Sequence, residues 1–275
     1  MSANQYTKEY LKNQLKEMGL ESTDALMVHS SMKAIGAVEG GADTVVDALM
    51  EYLEDGLLMM PTHTWKQMSA EYAVFDPLTE PACVGILPNI FRTRKGVVRS
   101  MHPTHSMAVY GKGAEEYIRG EDTFHTPCAP GGCWDRLREV NAWILLVGVT
   151  HARNTFIHSI EEVLDVPERF TDKPTTFYVK RQDGSLKKIE MYRHYNVHTA
   201  HISESFDKLS QGYFDTGAAR KVYLGDAECI LCSAAKLFEV TKRVLQKEKN
   251  CFIDCDTIPE DWYKELPVYT EFTNY

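Results

Sequence analysis

Residues 25–60 read ALMVHSSMKAIGAVEGGADTVVDALMEYLEDGLLMM, and the fold is decided in this stretch. Ala25–His29 is a short apolar run without polar alternation, the pattern of a strand covered on both faces. A turn-rich segment holding Gly36, Gly40 and Gly41 follows. From Asp43 to Tyr52, Val45, Val46, Ala48 and Leu49, with Leu53 beyond, share one side at helical spacing, and Asp55-Gly56 ends the helix. Gly56–Met60 is a second buried strand. Strand, helix and strand with a crossover of this length make a βαβ unit, whose two strands run parallel.

The same reading extends outward. Tyr6–Met18 has helical spacing and stops at Gly19. Residues 61–81 form a long irregular excursion with Trp65, Tyr72 and Phe75, and loops of that length are usually functional. Helices are predicted at Gly85–Thr93, Ala114–Ile118 and Thr155–Leu164, and strands at 97–98, Met107–Tyr110, Ile144–Val149 and Lys221–Leu224. Phe177–Val179 and Lys188–Met191 flank Asp183-Gly184, a tight hairpin turn. Ala227–Leu245 reads as one continuous amphipathic helix. The expected fold class is α/β, a single domain over 1–275 with a central, mostly parallel sheet flanked by helices plus a β-hairpin excursion.

At 275 residues, folding buries roughly three quarters of the extended chain's surface, so no staple is needed. Acidic residues outnumber basic ones, 39 to 30, for a formal charge of −9 and a pI near 5.6. That balance argues against nucleic acid as a partner and suits a cationic small molecule. The polar N-terminus lacks an export h-region, and no apolar run approaches the roughly 20 residues of a bilayer span; no membrane partner and a cytoplasmic location are expected. Seven cysteines, an odd number, read as reduced thiols. Cys229-x2-Cys232 and Cys251-x3-Cys255 imitate four-thiolate zinc spacing, but the helix read across the first pair favours buried thiols.

In open α/β sheets ligands collect beyond the carboxyl ends of the strands. There the chain places His29-Ser30-Ser31, then Pro61-Thr62-His63-Thr64-Trp65, then His151-Ala152-Arg153-Asn154-Thr155 and His158. The Ser30–Gly36 loop offers hydroxyls and backbone N–H groups to phosphates or an amide chain, without matching Walker A or GxGxxG. His158 has Glu161 at i+3 and Glu162 at i+4, where a carboxylate raises imidazole basicity; a capping or packing histidine is the alternative. His102-Pro103, with Ser106 beyond it, and His125-Thr126-Pro127 are turn features. His194-x3-His198-x2-His201 would form a zinc site on a helical face, although Tyr195, Asn196 and Val197 favour extended chain.

These features occur together in a known order. HSSMKAIGAVEGGADTVVDALMEYL, GLLMMPTHTW, RSMHPTHSMAVYGKGAEEYI, HTPCAP, WILLVGVTHARNTFIHSIEEVLDVPERF and GDAECILCSAAKLF resemble the aminoglycoside N(3)-acetyltransferase family, whose fold differs from the GNAT fold. The likeness spans roughly residues 5–250 and implies acetyl transfer from acetyl-CoA to a primary amine of an aminoglycoside or related amino-sugar, with no metal. It implies an acetyl-CoA site at Ser30, Ser31, Met32, Lys33, Ala34, Ile35 and Gly36, with His102 and Ser106 lining the same cleft. His158 matches the histidine used near the acceptor amine, and His125 flanks the acceptor. His63, Trp65 and His194 are expected at the amine substrate. In the family a carboxylate downstream of the hairpin pairs with the catalytic histidine; here Tyr192–Asn196 holds none, so Glu161 or Glu190 serves, or His194 replaces the acid. The expected partner is a cationic small-molecule amine, and a homodimer is compatible. Competing readings are a zinc-dependent hydrolase on His194, His198 and His201, and a catalytically inert CoA-binding relative.

Overall fold

The computed structural model describes residues 5–199 and 201–268. Strands β1 (Ala25–Ser30), β2 (Leu57–Pro61), β3 (Val74–Phe75), β4 (Val98–Arg99), β5 (Met107–Gly111), β6 (Trp143–Val147), β7 (Thr175–Lys180), β8 (Leu186–Met191), β9 (Ala219–Leu224) and β10 (Ala227–Ser233) form two sheets. The larger has seven strands in the order β4-β5-β2-β1-β6-β10-β9, and the smaller the order β3-β7-β8.

β1 runs parallel to β2, as the βαβ reading requires, and parallel to β6. The four outer pairings are antiparallel, so the parallel arrangement is the central trio of a mixed sheet. Both faces are covered. Leu26, Val28, Leu58, Met60, Leu145 and Val147 point into one core, capped by the helices Lys8–Glu17 and Ala42–Tyr52. Their sequence neighbours Met27, Met59, Ile144 and Leu146 point into the other, under the helices Phe156–Val163 and Ala234–Lys247. Two-sided burial is what removes the polar alternation from these strands.

The predicted helix over Ala227–Leu245 is a correction. Ala227–Ser233 is β10, paired with both β6 and β9, and the helix starts only at Ala234, where the Ser233 side chain accepts from the Lys236 amide. The overlooked signal is Gly225-Asp226, a two-residue hairpin loop with Gly225 at φ +59. As strand residues of opposite parity, Cys229 and Cys232 face opposite cores, so the four-thiolate arrangement does not form. All seven cysteines are free.

The hairpin β7–β8 turns at Asp183-Gly184 as expected, and its apolar side packs Phe177, Val179, Ile189 and Met191 on Met68 and Phe75. The excursion after β2 is held by Arg99. Its Nε donates to Thr62 and Ser106 hydroxyls, Nη2 to the Thr62 carbonyl, and Nη1 to the carbonyls of Pro77 and Glu80. Gly148, at φ +60, brings the end of β6 against the short helix Met32–Ile35; a Cβ there would lie 2.1 Å from that of Ala34. This close approach keeps the turn after β1 beside the segment after β6. Among the described residues, no helix is long and apolar enough to cross a membrane.

Candidate active site

The carboxyl ends of β2, β1 and β6 open on one edge of the sheet, and a cavity of about 840 Å³ lies there. β1 contributes His29 and Ser30, the chain after β2 contributes His63 and Trp65, and the chain after β6 contributes Asn154 and Thr155. His158, from the first turn of Phe156–Val163, and His194, just beyond β8, complete the wall around the charged chemistry.

His158 Nδ1 lies 3.0 Å from Glu161 Oε2. A carboxylate only accepts, so Nδ1 carries the proton and Nε2 keeps its lone pair, with no partner among the described residues. Glu161 is 1% exposed, and its other oxygen accepts from Arg169 Nε at 2.6 Å. Burial raises the Glu161 pKa, but the hydrogen bond and charge of His158 and then the Arg169 guanidinium outweigh it and leave it below the ordinary value. For His158 burial is the largest influence and lowers the pKa; neighbouring His194 lowers it too, and the Glu161 contact offsets only part. The ring is therefore neutral at neutral pH, with Nε2 free to accept a proton.

His194 stacks on His158 with centroids 4.1 Å apart. Its Nε2 donates to Glu162 Oε1 at 3.0 Å, and Glu162 also receives the Cys128 amide and the Thr126 hydroxyl. One helical turn thus supplies a separate carboxylate to each imidazole, Glu161 at i+3 to its own residue and Glu162 to a distant one. Phe206 closes the far side of His158 edge-on at 4.8 Å. Thr155, at the start of the same helix, places its hydroxyl 3.0 Å from His63 Nε2.

The other expected positions divide. His63, Trp65 and His194 line the cavity, and so does Ser30. Ser31, Met32, Lys33, Ala34, Ile35 and Gly36 do not line it: Ile35 is core, Lys33 is exposed, and the Ser31 amide is spent on the Val147 carbonyl. His102 and Ser106 are buried and do not line the cavity, and both side chains are engaged within the loop structure. His102 Nδ1 accepts from the His105 amide while Nε2 donates to the Thr126 carbonyl, and the Ser106 hydroxyl donates to the Thr62 carbonyl. His125 is likewise away from the cavity, exposed, with Nδ1 donating to the Glu190 carbonyl. Glu190 bonds Thr176 and Lys188 on the hairpin, which leaves Glu161 as the carboxylate at His158.

The zinc alternative is not assembled. His194 is engaged by Glu162, and the chain beyond it bends at 197–198, where Asn196 Oδ1 accepts from the amides of His198 and Thr199, instead of forming a helix; His198 and His201 are exposed. Among the described residues the group whose ligand atoms lie within 4.8 Å of one another is Cys128, Glu162 and His194. Both Glu162 oxygens already accept hydrogen bonds there, and burial pushes the Cys128 thiol pKa well up, so the trio is a hydrogen-bonded knot with a protonated sulfur. The pairing of Arg169 with Glu161 and that of Glu162 with His194 carried no sequence signal, because each closes only in the fold.

Several imidazoles here are buried without a carboxylate. Burial pushes His29 down to about 3 and His102 and His151 to about 4, and holds His63 and His105 well below the ordinary value. In the unfolded chain each titrates near ~6.5. Between that pH and the lowered native values the unfolded state binds protons that the native state refuses, so stability falls as pH falls, by about 1.4 kcal/mol per pH unit for each group. Urea unfolding at pH 7, 6 and 5 is expected to show a steep loss; equal midpoints at pH 7 and 5 would contradict burial of these rings as neutral species.

The cleft beyond the parallel strands thus holds a neutral histidine backed by a buried carboxylate, in a mixed α/β fold. The comparisons with known proteins are specific. A family model described as aminoglycoside 3-N-acetyltransferase matches residues 27–246. Aminoglycoside N(3)-acetyltransferase VII of Streptomyces paromomycinus is 28% identical over 252 residues, covering 83% of this chain and 87% of that protein. A crystal structure of a histidine-to-alanine mutant of aminoglycoside acetyltransferase AAC(3)-IVa, in complex with gentamicin, superposes with a TM-score of 0.78 at 25% identity, covering 92% of this chain and 93% of that one. AAC-IIIb, solved as a binary complex with CoASH, shares the fold at a TM-score of 0.77 and 22% identity, covering 89% of this chain and 97% of that one. The chain belongs to the aminoglycoside 3-N-acetyltransferase family, a family of acyltransferases.

Proposed function

We propose that the protein transfers an acetyl group from acetyl-CoA to a primary amine of an amino-sugar, the class that includes aminoglycosides, within a ternary complex and with His158 as general base. The observation that carries this reading is the His158–Glu161–Arg169 relay, which leaves Nε2 of a cavity-lining ring unprotonated. The relatives' names and the CoASH complex of AAC-IIIb support the acetyl donor.

In the reaction the amine nitrogen attacks the thioester carbonyl carbon and its proton passes to His158 Nε2. The imidazolium that forms is stabilised by Glu161 through Nδ1–H. The tetrahedral intermediate collapses with cleavage of the C–S bond, and the coenzyme A thiolate, whose thiol pKa is about 8.5, leaves without strong acid assistance. The Thr155 hydroxyl is the candidate donor to the oxyanion. Ser30 is where the turn after β1 meets the cavity, so the acetyl group is expected to enter there, with the rest of the carrier leaving the cavity over the outer surface of that turn, where Lys33 is exposed to solvent. A cysteine acyl-enzyme is not invoked: burial raises the pKa of Cys128, and half-buried Cys83 on the cavity wall is raised in the same way, which disfavours a thiolate at either position.

The test offers acetyl-CoA with a panel of amino-sugars and aminoglycosides and follows N-acetylated product by mass together with free CoASH. Product is expected only when donor and amine are both present. Release of CoASH at the hydrolytic background with every amine would refute the reading.

A further inference from the structure

The chain carries a net charge of −9, yet the cavity does not share that sign. Lys66, Arg153 and Arg193 line it, and Glu204 is the one carboxylate among the described lining residues. None of the three cations forms a salt bridge with a described acidic residue. Glu161 and Glu162 stand behind the wall and are engaged there, by Arg169 and His158 and by His194. An acceptor studded with ammonium groups therefore meets like charge in a concave site, where field lines concentrate.

The placement of the cations is specific. Arg193 Nη2 donates to the Trp65 carbonyl at 2.5 Å, which ties Arg193 to the loop that carries Lys66. Arg193 also adjoins His194, the ring stacked on His158. Arg193 and the loop that carries Lys66, from different parts of the chain, thus meet at the cavity wall. On the same wall His29 Nε2, His63 Nδ1 and Asn154 Oδ1 are buried polar atoms with no partner, so the site is equipped for a polar, hydroxylated occupant.

We propose that the acceptor is an amine whose own skeleton carries an anion, a phosphate or a carboxylate, held by Lys66 and Arg193 while the amine nitrogen reaches His158. This rests on the acyl-transfer reading above and narrows its acceptor, away from bare polycations. The anion neutralises the cationic wall and orients the amine; a polycation does neither.

The experiment measures kcat/KM at saturating acetyl-CoA and low salt for glucosamine, glucosamine 6-phosphate, muramic acid and gentamicin, in the native protein and in Lys66→Glu and Arg193→Gln. At least one anion-bearing amine is expected to exceed glucosamine by about tenfold or more, with gentamicin poorest, and either variant is expected to reduce that advantage about tenfold. The phosphate and carboxylate arms identify which anion is read. Lys66 is an exposed side chain, so its variant tests the charge even if Arg193→Gln disturbs the loop. Gentamicin or glucosamine equalling the anionic amines would overturn the proposal and leave acyl transfer standing. So would a rise in the KM for acetyl-CoA by the same factor with every acceptor, which would assign the cations to the donor. Product from none of the four amines would overturn acyl transfer itself, and the anionic acceptor with it.

Discussion

His158→Ala is expected to lower kcat for amine acetylation by about 10²–10⁴ while leaving the affinity for acetyl-CoA within about twofold. The ring lines the cavity with Nδ1 already committed to the buried Glu161 carboxylate, which leaves Nε2 to take the proton. Without it the amine's proton has to pass to solvent, and the loss falls on the chemical step rather than on binding. Ser30 and the turn after β1, where the carrier is expected, do not touch the ring, so calorimetric titration with CoA is expected to be unchanged. Added imidazole, filling the space between His194 and Phe206, is expected to restore part of the rate. A kcat within about threefold of the native protein would remove His158 from the mechanism.

Arg169→Ala is expected to be the most destabilising single change near the site. Arg169 and Glu161 are both almost fully buried and bond at 2.6 Å, and Arg169 Nη1 also donates to the Pro167 carbonyl at 2.9 Å. Removing one partner strands the other charge in a dry environment, which costs about 3–5 kcal/mol. Stranded Glu161 then takes up a proton more readily. A protonated Glu161 stabilises the imidazolium less, so surviving activity is expected to shift to higher pH. Urea unfolding and the pH–rate profile read the two effects separately. Arg169→Lys, which keeps the charge but not the geometry, is expected to fall between. A loss under about 1 kcal/mol with an unchanged profile would show that Glu161 is held by something else.

What could be read before folding follows from how local each signal is. The strand Ala25–Ser30, the helix Ala42–Tyr52 and the strand Leu57–Pro61 were legible because two-sided burial and a glycine stop write themselves into neighbouring residues. Asp183-Gly184 marked its hairpin for the same reason. Ala227–Ser233 was misread because a short apolar run satisfies the helical and strand periods equally, and the deciding cue lay just outside it, in Gly225-Asp226.

Within the site, the pairing of His158 with Glu161 was legible as an i, i+3 spacing on one helix. Arg169, the His194–Glu162 bond and the stack of His194 on His158 depend on long-range closure and left no local mark. His102 and Ser106 show the converse. A His-Pro turn announces a special loop, but whether its side chains face a ligand or satisfy backbone groups is settled by the strands on either side. Here Thr62 and Thr64 extend the β2–β5 pairing past its formal end through the carbonyls of Ser106 and Thr104, and this turns both side chains inward. The sign of the cavity's charge is equally non-local, since its cations come from three separate loops in a chain that is acidic overall.

The central claim is that His158 waits as a neutral imidazole with its proton on Nδ1 and its lone pair on Nε2. Ring-¹⁵N histidine NMR, with the resonance assigned by comparison with His158→Gln, observes both nitrogens directly. The account predicts a protonated Nδ1 and an unprotonated Nε2 at pH 7, with titration only below the ordinary histidine range. A proton on Nε2 with Nδ1 bare, or a ring already charged at pH 7, would contradict it.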